Sequence, residues 1–121
     1  MYEFINNVEI QGIVGQANVQ KVNDTIKITL SVATNYTHLR SDKTICIDTT
    51  WFLIVMWTKE KEDRLVIPQK DDWIHAKGRL RQCRAIDEDE NVVQIYDVLA
   101  NELSILEKQK SDHALLRNYP Y

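Results

Sequence analysis

Ile26, Ile28, Leu30 and Val32 alternate without a break with Lys27, Thr29, Ser31 and Ala33. Successive side chains on a strand point to opposite faces, so this pattern separates an apolar side from a mostly polar one only in a sheet. The same period appears upstream, where Val8, Ile10, Gly12 and Val14 alternate with Glu9, Gln11 and Ile13, with glycine where a strand can bend sharply. The turn-like Val22-Asn23-Asp24 separates these first two strands. A third strand is expected from Ile45 through the apolar stretch Trp51 to Trp57, a fourth from Trp73 to about Arg84, and a fifth from Val92 to Ala100. The acidic Asp87-Glu88-Asp89-Glu90-Asn91 reads as the tip joining the last two, and polar residues 36–44 read as a long hairpin loop. Between strands three and four, the charged segment Lys59 to Lys70, stopped by Pro68, reads as a short helix.

Five strands with a short helical segment between strands 3 and 4 is the element order of an OB-fold, an all-β Greek-key barrel. The 121 residues, 44% of them hydrophobic, suit one such domain, residues 1–106, followed by a short C-terminal tail, residues 107–121. Only three glycines and two prolines punctuate the chain, and no linker or repeat divides it. The longest apolar run, Trp51 to Trp57, is far shorter than the ~20 residues of a spanning helix, so no membrane is expected. The first residues lack a basic and then apolar export signal, and Cys46 and Cys83 form no CxxC. Both point to an intracellular, reducing compartment, with the cysteines as packing or surface thiols.

A formal net charge of -3 excludes an overall basic nucleic-acid binder but leaves room for a local basic face. Alternation in the fourth strand supplies one: Ile74, Ala76, Gly78 and Leu80 suit the barrel interior, while Trp73, His75, Lys77, Arg79 and Arg81 point outward. From Trp73 to Ile86, with Lys77, Arg79, Arg81 and Arg84, no acid occurs. A solvated edge protected by cations is the alternative. In the third strand Phe52, Ile54 and Met56 suit the interior, leaving Trp51, Leu53, Val55 and Trp57 outside. Exposed tryptophans near cations suit single-stranded nucleic acid, because every base has a face to stack; burial in a subunit interface is the other reading. Tyr36, His38, Arg40 and Lys43 would continue such a groove.

No nucleophile elbow, phosphate loop or HExxH motif occurs, so no enzyme and no cofactor are expected. His38, His75 and His113 are dispersed in sequence and read as surface residues, so no metal is expected either. The acidic tip lacks the glycine and spacing of a calcium loop.

Across residues 6–106 the chain resembles the bacterial single-stranded DNA-binding protein (SSB) family. The resemblance is carried in order by Asn6-Asn7-Val8-Glu9-Ile10-Gln11-Gly12-Ile13-Val14-Gly15, Leu30-Ser31-Val32-Ala33-Thr34-Asn35, Thr50-Trp51 through Trp57, Lys77-Gly78-Arg79-Leu80 and Ala100-Asn101-Glu102-Leu103 through Leu106. It implies an OB-fold that binds single-stranded DNA with little sequence preference in replication, repair or recombination. Trp51 matches a family tryptophan that stacks on bases, and Trp57 matches a stacking phenylalanine. His38 and Ala85 fall where members carry further aromatics, and Trp73 falls where an aliphatic residue is usual. The resemblance also implies a homo-oligomer, a tetramer ahead of a dimer, in the bacterial cytoplasm and associated with the nucleoid. The family recruits replication and repair proteins through a Gly/Pro/Gln-rich linker and an acidic tail, whereas this chain ends in Pro120-Tyr121 without the acidic cluster. That shortening is similar to plasmid- or mobile-element-borne members and to a dimeric primosomal relative of the same barrel. A protein-interaction or primosome-type scaffold, its aromatic face buried against a partner, is the alternative function.

Overall fold

The computed structural model describes residues 1–59 and 66–108. Five strands, β1 (Val8–Val22), β2 (Thr25–Leu39), β3 (Ile45–Lys59), β4 (Trp73–Ile86) and β5 (Val92–Glu107), close into a barrel in the order β1-β2-β3-β5-β4. All neighbours are antiparallel except β3 and β5, which close the wall through the short parallel register Ile54↔Val98 and Val55↔Leu99. The expected all-β class and five strands are therefore found, and no helix occurs among the described residues. The core of the expected helical segment, residues 60–65, lies outside the described residues. On either side of it Lys59 still belongs to β3, and residues 66–72 form irregular backbone and a turn.

Each strand contributes its inward-facing set to one core: Ile10 and Val14, Ile28, Leu30 and Val32, Ile54, Ile74 and Ala76, Val98 and Ala100. Phe52 and Met56 pack against it partly buried, as alternation requires. Leu80 departs from expectation. It pairs with the core residue Val98, yet it is exposed, because β4 and β5 here run out of the barrel wall into a free hairpin arm. Val55 departs the other way: it is buried although it faces outward, because it is flanked in the wall by Thr29 of β2 and Leu99 of β5.

β1 serves two neighbours, β4 along Val8 to Ile13 and β2 along Ile13 to Val22. The register with β2 slips between Val14 and Gln16, which makes Gly15 a bulge, the usual device for bending a strand around a barrel corner. The backbone there is satisfied from outside the ladder: Val14 N donates to Asp72 O at 3.0 Å and Asp71 N donates to Val14 O at 2.8 Å.

The strands run further than the sequence suggests, β1, β2 and β5 most of all. β1 continues to Val22, and β5 continues past Ala100 to Glu107. The expected loop 36–44 is also corrected: β2 and β3 remain paired to Leu39↔Ile45, leaving only a turn at residues 40–44. This projecting finger is held by Arg40 N donating to Thr44 O at 2.8 Å, Lys43 N to Arg40 O at 2.9 Å, and Thr44 N to the Asp42 carboxylate at 3.0 Å. On the β2 side Tyr36, Thr37 and His38 show no apolar alternation, so that part of the strand leaves no period in the sequence. At the acidic tip, Asp87 Oδ1 accepts from the backbone of Asp89 at 3.0 Å and Asn91 at 2.8 Å, which gives the first acid of that run a turn-forming role.

Candidate nucleic-acid interface

Paired residues share a face, so the register maps the outer surface row by row. Reading across β1, β2 and β3, the rows are Ile13–Ala33–Trp51, Gln16–Ser31–Leu53, Asn18–Thr29–Val55 and Gln20–Lys27–Trp57. Trp73 of β4 pairs with Ile13 and extends the first row. Two tryptophans thus stand about 20 Å apart along β3, taking ~3.3 Å per residue, at the ends of a floor that is polar on β1 and β2 and apolar on β3. No carboxylate interrupts these rows.

Trp51 is 49% exposed and Trp57 44% exposed. Each is positioned by a specific neighbour. A Cβ on Gly15 would lie 2.5 Å and 2.7 Å from the outer edge of the Trp51 indole, so the bulge glycine is what allows this ring to lie against β1. Ile13 and Ala33 are buried in the same row while standing outside the barrel core. Trp51 and half-buried Trp73 flank them in that row. Lys27 Nζ lies 5.6 Å from the centroid of the Trp57 ring, a cation–π arrangement that places a positive charge beside the ring. On its other side Trp57 opens onto a groove of about 540 Å³ shared with Asn6, Gly78, Arg79, Leu99 and Asn101. Asn6 braces that groove: its Nδ2 donates to Leu80 O at 2.8 Å, and Leu80 N donates to its Oδ1 at 3.0 Å, a side-chain amide standing in for a strand partner.

The cations of β4 do not form one continuous face. Arg81 donates two hydrogen bonds to Asp97, Nε to Oδ1 at 2.9 Å and Nη2 to Oδ2 at 2.8 Å, and the Asp97 side chain is only 7% exposed. That bond raises the Arg81 guanidinium above its ordinary value and commits it to the fold. Lys77 stands between two acids, paired in register with Glu9 on β1 and Glu102 on β5. The Glu9 carboxylate is held below its ordinary value, first by its 2.7 Å hydrogen bond to His75 Nε2 and then by the charge of Lys77. His75 is accordingly engaged with Glu9. Arg79 pairs with Leu99, which places it beside the Trp57 groove. Arg84 pairs with Gln94 on the projecting arm, and its even position sets it on the face opposite Arg79 and Arg81.

The finger residues are distributed differently from a continued groove. Tyr36 pairs with Asp48 and His38 with Cys46, on the side of the β2–β3 ribbon opposite Trp51. Tyr36 lines a separate depression with Thr34, Thr50, Phe52 and His75. Arg40 and Lys43 sit at the exposed tip. Ala85 pairs with Val93 on the arm. The structure therefore brings together Trp51, Trp57 and Arg79, sets Trp73 at the edge of the same face, and places Tyr36, His38 and Arg84 away from it. It also adds two cations on the Trp57 side: Lys27, and Lys59, which pairs with Thr25 in the next row. Their signal was present in the sequence, in the polar side of the second strand and the end of the third.

No family model and no curated protein matches the sequence. Solved structures do. The barrel superposes on a Plasmodium falciparum SSB in complex with ssDNA with a TM-score of 0.70 and 21% sequence identity, covering 88% of this chain and 99% of that one. It superposes on a deletion mutant of the single-stranded DNA binding protein from Thermus aquaticus with a TM-score of 0.68 and 15% identity, covering 85% of this chain and 51% of that one. The chain thus has the OB-fold barrel of the single-stranded DNA-binding proteins, the fold that the sequence resemblance implied.

Proposed function

We propose that this chain is a non-enzymatic module that binds single-stranded DNA with little sequence preference. The observation that carries the reading is the set of carboxylate-free rows that β1, β2 and β3 share, with half-exposed Trp51 and Trp57 at their ends and Lys27 and Arg79 around Trp57. Bases stack on the two rings, and Lys27, Lys59 and Arg79 neutralise phosphates and release counterions. Arg40 and Lys43 at the finger tip and Arg84 on the arm reach backbone outside the central face. The similar fold of an SSB solved with ssDNA supports this reading.

The exposed apolar side chains of the finger, Leu39, Ile45 and Ile47, and of the arm, Leu80, Ile86, Val92 and Tyr96, favour assembly into a homo-oligomer. A tetramer ahead of a dimer, working in the cytoplasm on the nucleoid in replication, repair or recombination, is the setting the resemblance implies. Sedimentation showing a monomer would reject the assembly.

The test of function is a titration of tryptophan fluorescence with oligo-thymidine of several tens of nucleotides at low and high salt, with duplex DNA as control. Saturable quenching by the single strand alone, weakening with salt, is the expected result. Unchanged fluorescence together with no binding by anisotropy would sink the reading and favour a protein partner on the aromatic face.

A further inference from the structure

The finger carries a second constellation that the nucleic-acid reading does not use. His38 of β2 and Cys46 of β3 are a direct cross-strand pair, and Asp48 follows Cys46 by two positions on the same side. The Asp48 carboxylate stands between the other two: Oδ2 is 3.4 Å from His38 Nδ1, and Oδ1 is 4.0 Å from Cys46 Sγ. One donor atom from each of the three residues falls within 4.8 Å of the others. We propose that His38, Cys46 and Asp48 form a binding site for a divalent transition-metal ion of the zinc class.

Donor chemistry and geometry carry this. An imidazole nitrogen, a thiolate and a carboxylate are the donor types zinc takes, and a thiolate excludes magnesium and calcium as the preferred ions. Bonds of about 2.3 Å to sulfur and 2.0–2.1 Å to nitrogen or oxygen at tetrahedral angles set donors ~3.4–3.6 Å apart. The His38–Asp48 distance already meets that spacing, and the cysteine needs to close by about 1.4 Å at most, within reach of a rotamer adjustment. The two strands that supply the donors are fixed by continuous pairing down to Leu39↔Ile45 and by the hydrogen-bonded turn beyond it. Binding expels the thiol proton to solvent and joins β2 to β3 near the finger's end, leaving a coordination position open to water. The site faces away from Trp51, so an ion there does not occupy the base-stacking surface.

The test is a titration of the full chain with Co²⁺, read by thiolate-to-cobalt charge-transfer absorption and displaced by Zn²⁺, with circular dichroism confirming that each variant is folded. One ion per chain is expected. Cys46→Ser abolishes the band, Cys83→Ser leaves it intact, and His38→Ala or Asp48→Asn weakens affinity by more than about tenfold. A folded wild-type chain with no band, a band surviving Cys46→Ser or lost in Cys83→Ser, or affinity unchanged in both His38→Ala and Asp48→Asn would each overturn the site. Because absorption is read without nucleic acid, the outcome is independent of DNA binding.

Discussion

Replacing Arg81 by Gln and, separately, Arg79 by Gln distinguishes the two kinds of cation on β4. Sequence position makes them equivalent, and tertiary pairing makes them opposite. Loss of Arg81 leaves the Asp97 carboxylate, 7% exposed, without its two hydrogen bonds. Breaking a buried pair costs about 3–5 kcal/mol, and the lower end applies because the Arg81 side chain is 32% exposed and water reaches the vacated space. At about 3–6 °C per kcal/mol, between the ranges for smaller and larger domains, Arg81→Gln should lower Tm by roughly 10–20 °C. Arg79 has no carboxylate partner among the described residues, so Arg79→Gln should leave Tm nearly unchanged. Its effect should fall on DNA: each phosphate contact contributes about 0.7 to the slope of log K against log salt for a single strand. Arg79→Gln should therefore reduce that slope by about 0.7, while Arg81→Gln, measured well below its Tm, should keep it. Melting by circular dichroism and oligo-thymidine titrations at four salt concentrations read both quantities. A shallower slope with intact stability in Arg81→Gln would refute the reasoning, because it would make Arg81 a phosphate ligand.

Trp57→Ala should weaken oligo-thymidine binding by about 1–3 kcal/mol in an anisotropy titration, the magnitude of one stacked base. Gly15→Val should push the Trp51 indole off β1, since even a Cβ there meets the ring at 2.5 Å; a red-shifted tryptophan emission and weaker binding are expected, and an unchanged spectrum would show that the ring has no need of the glycine. Gly78→Ala drives a methyl group into the backbone of Leu99 and Ala100 at the β4–β5 register slip, so a loss of about 1–3 kcal/mol in urea unfolding is expected. The Glu9 carboxylate titrates below its ordinary value in the folded chain, so its contribution is complete above the ordinary carboxylate range and is lost as pH falls through the lowered folded value. Urea midpoints of wild type and Glu9→Gln should accordingly converge in acid, and a gap that persists there would exclude the ionised Glu9–His75 contact as its source.

The five strands were legible because alternation is a local consequence of burying one side of a sheet, and the turn at Asn23 and the tip at Asp87 carry their own chemistry. The outward Trp51 and Trp57 followed from the same period. The finger was not legible: Tyr36, Thr37 and His38 have no core beneath them, so their pairing with Asp48, Ile47 and Cys46 imposes no hydrophobic period. The fate of each cation was equally hidden. Arg79 and Arg81 share a face of one strand, and what separates them is that β5 sets Leu99 beside the first and Asp97 beside the second. Lys27 lay on the polar side of the second strand, and only the β2–β3 register brings it over Trp57.

By itself, then, the sequence determined an all-β barrel and two outward tryptophans, because side-chain period and turn chemistry act between near neighbours in the chain. Tertiary structure alone decided which cations are held by carboxylates and which donors meet at His38, Cys46 and Asp48, because electrostatics and coordination act through space between strands whose order and register no local pattern encodes.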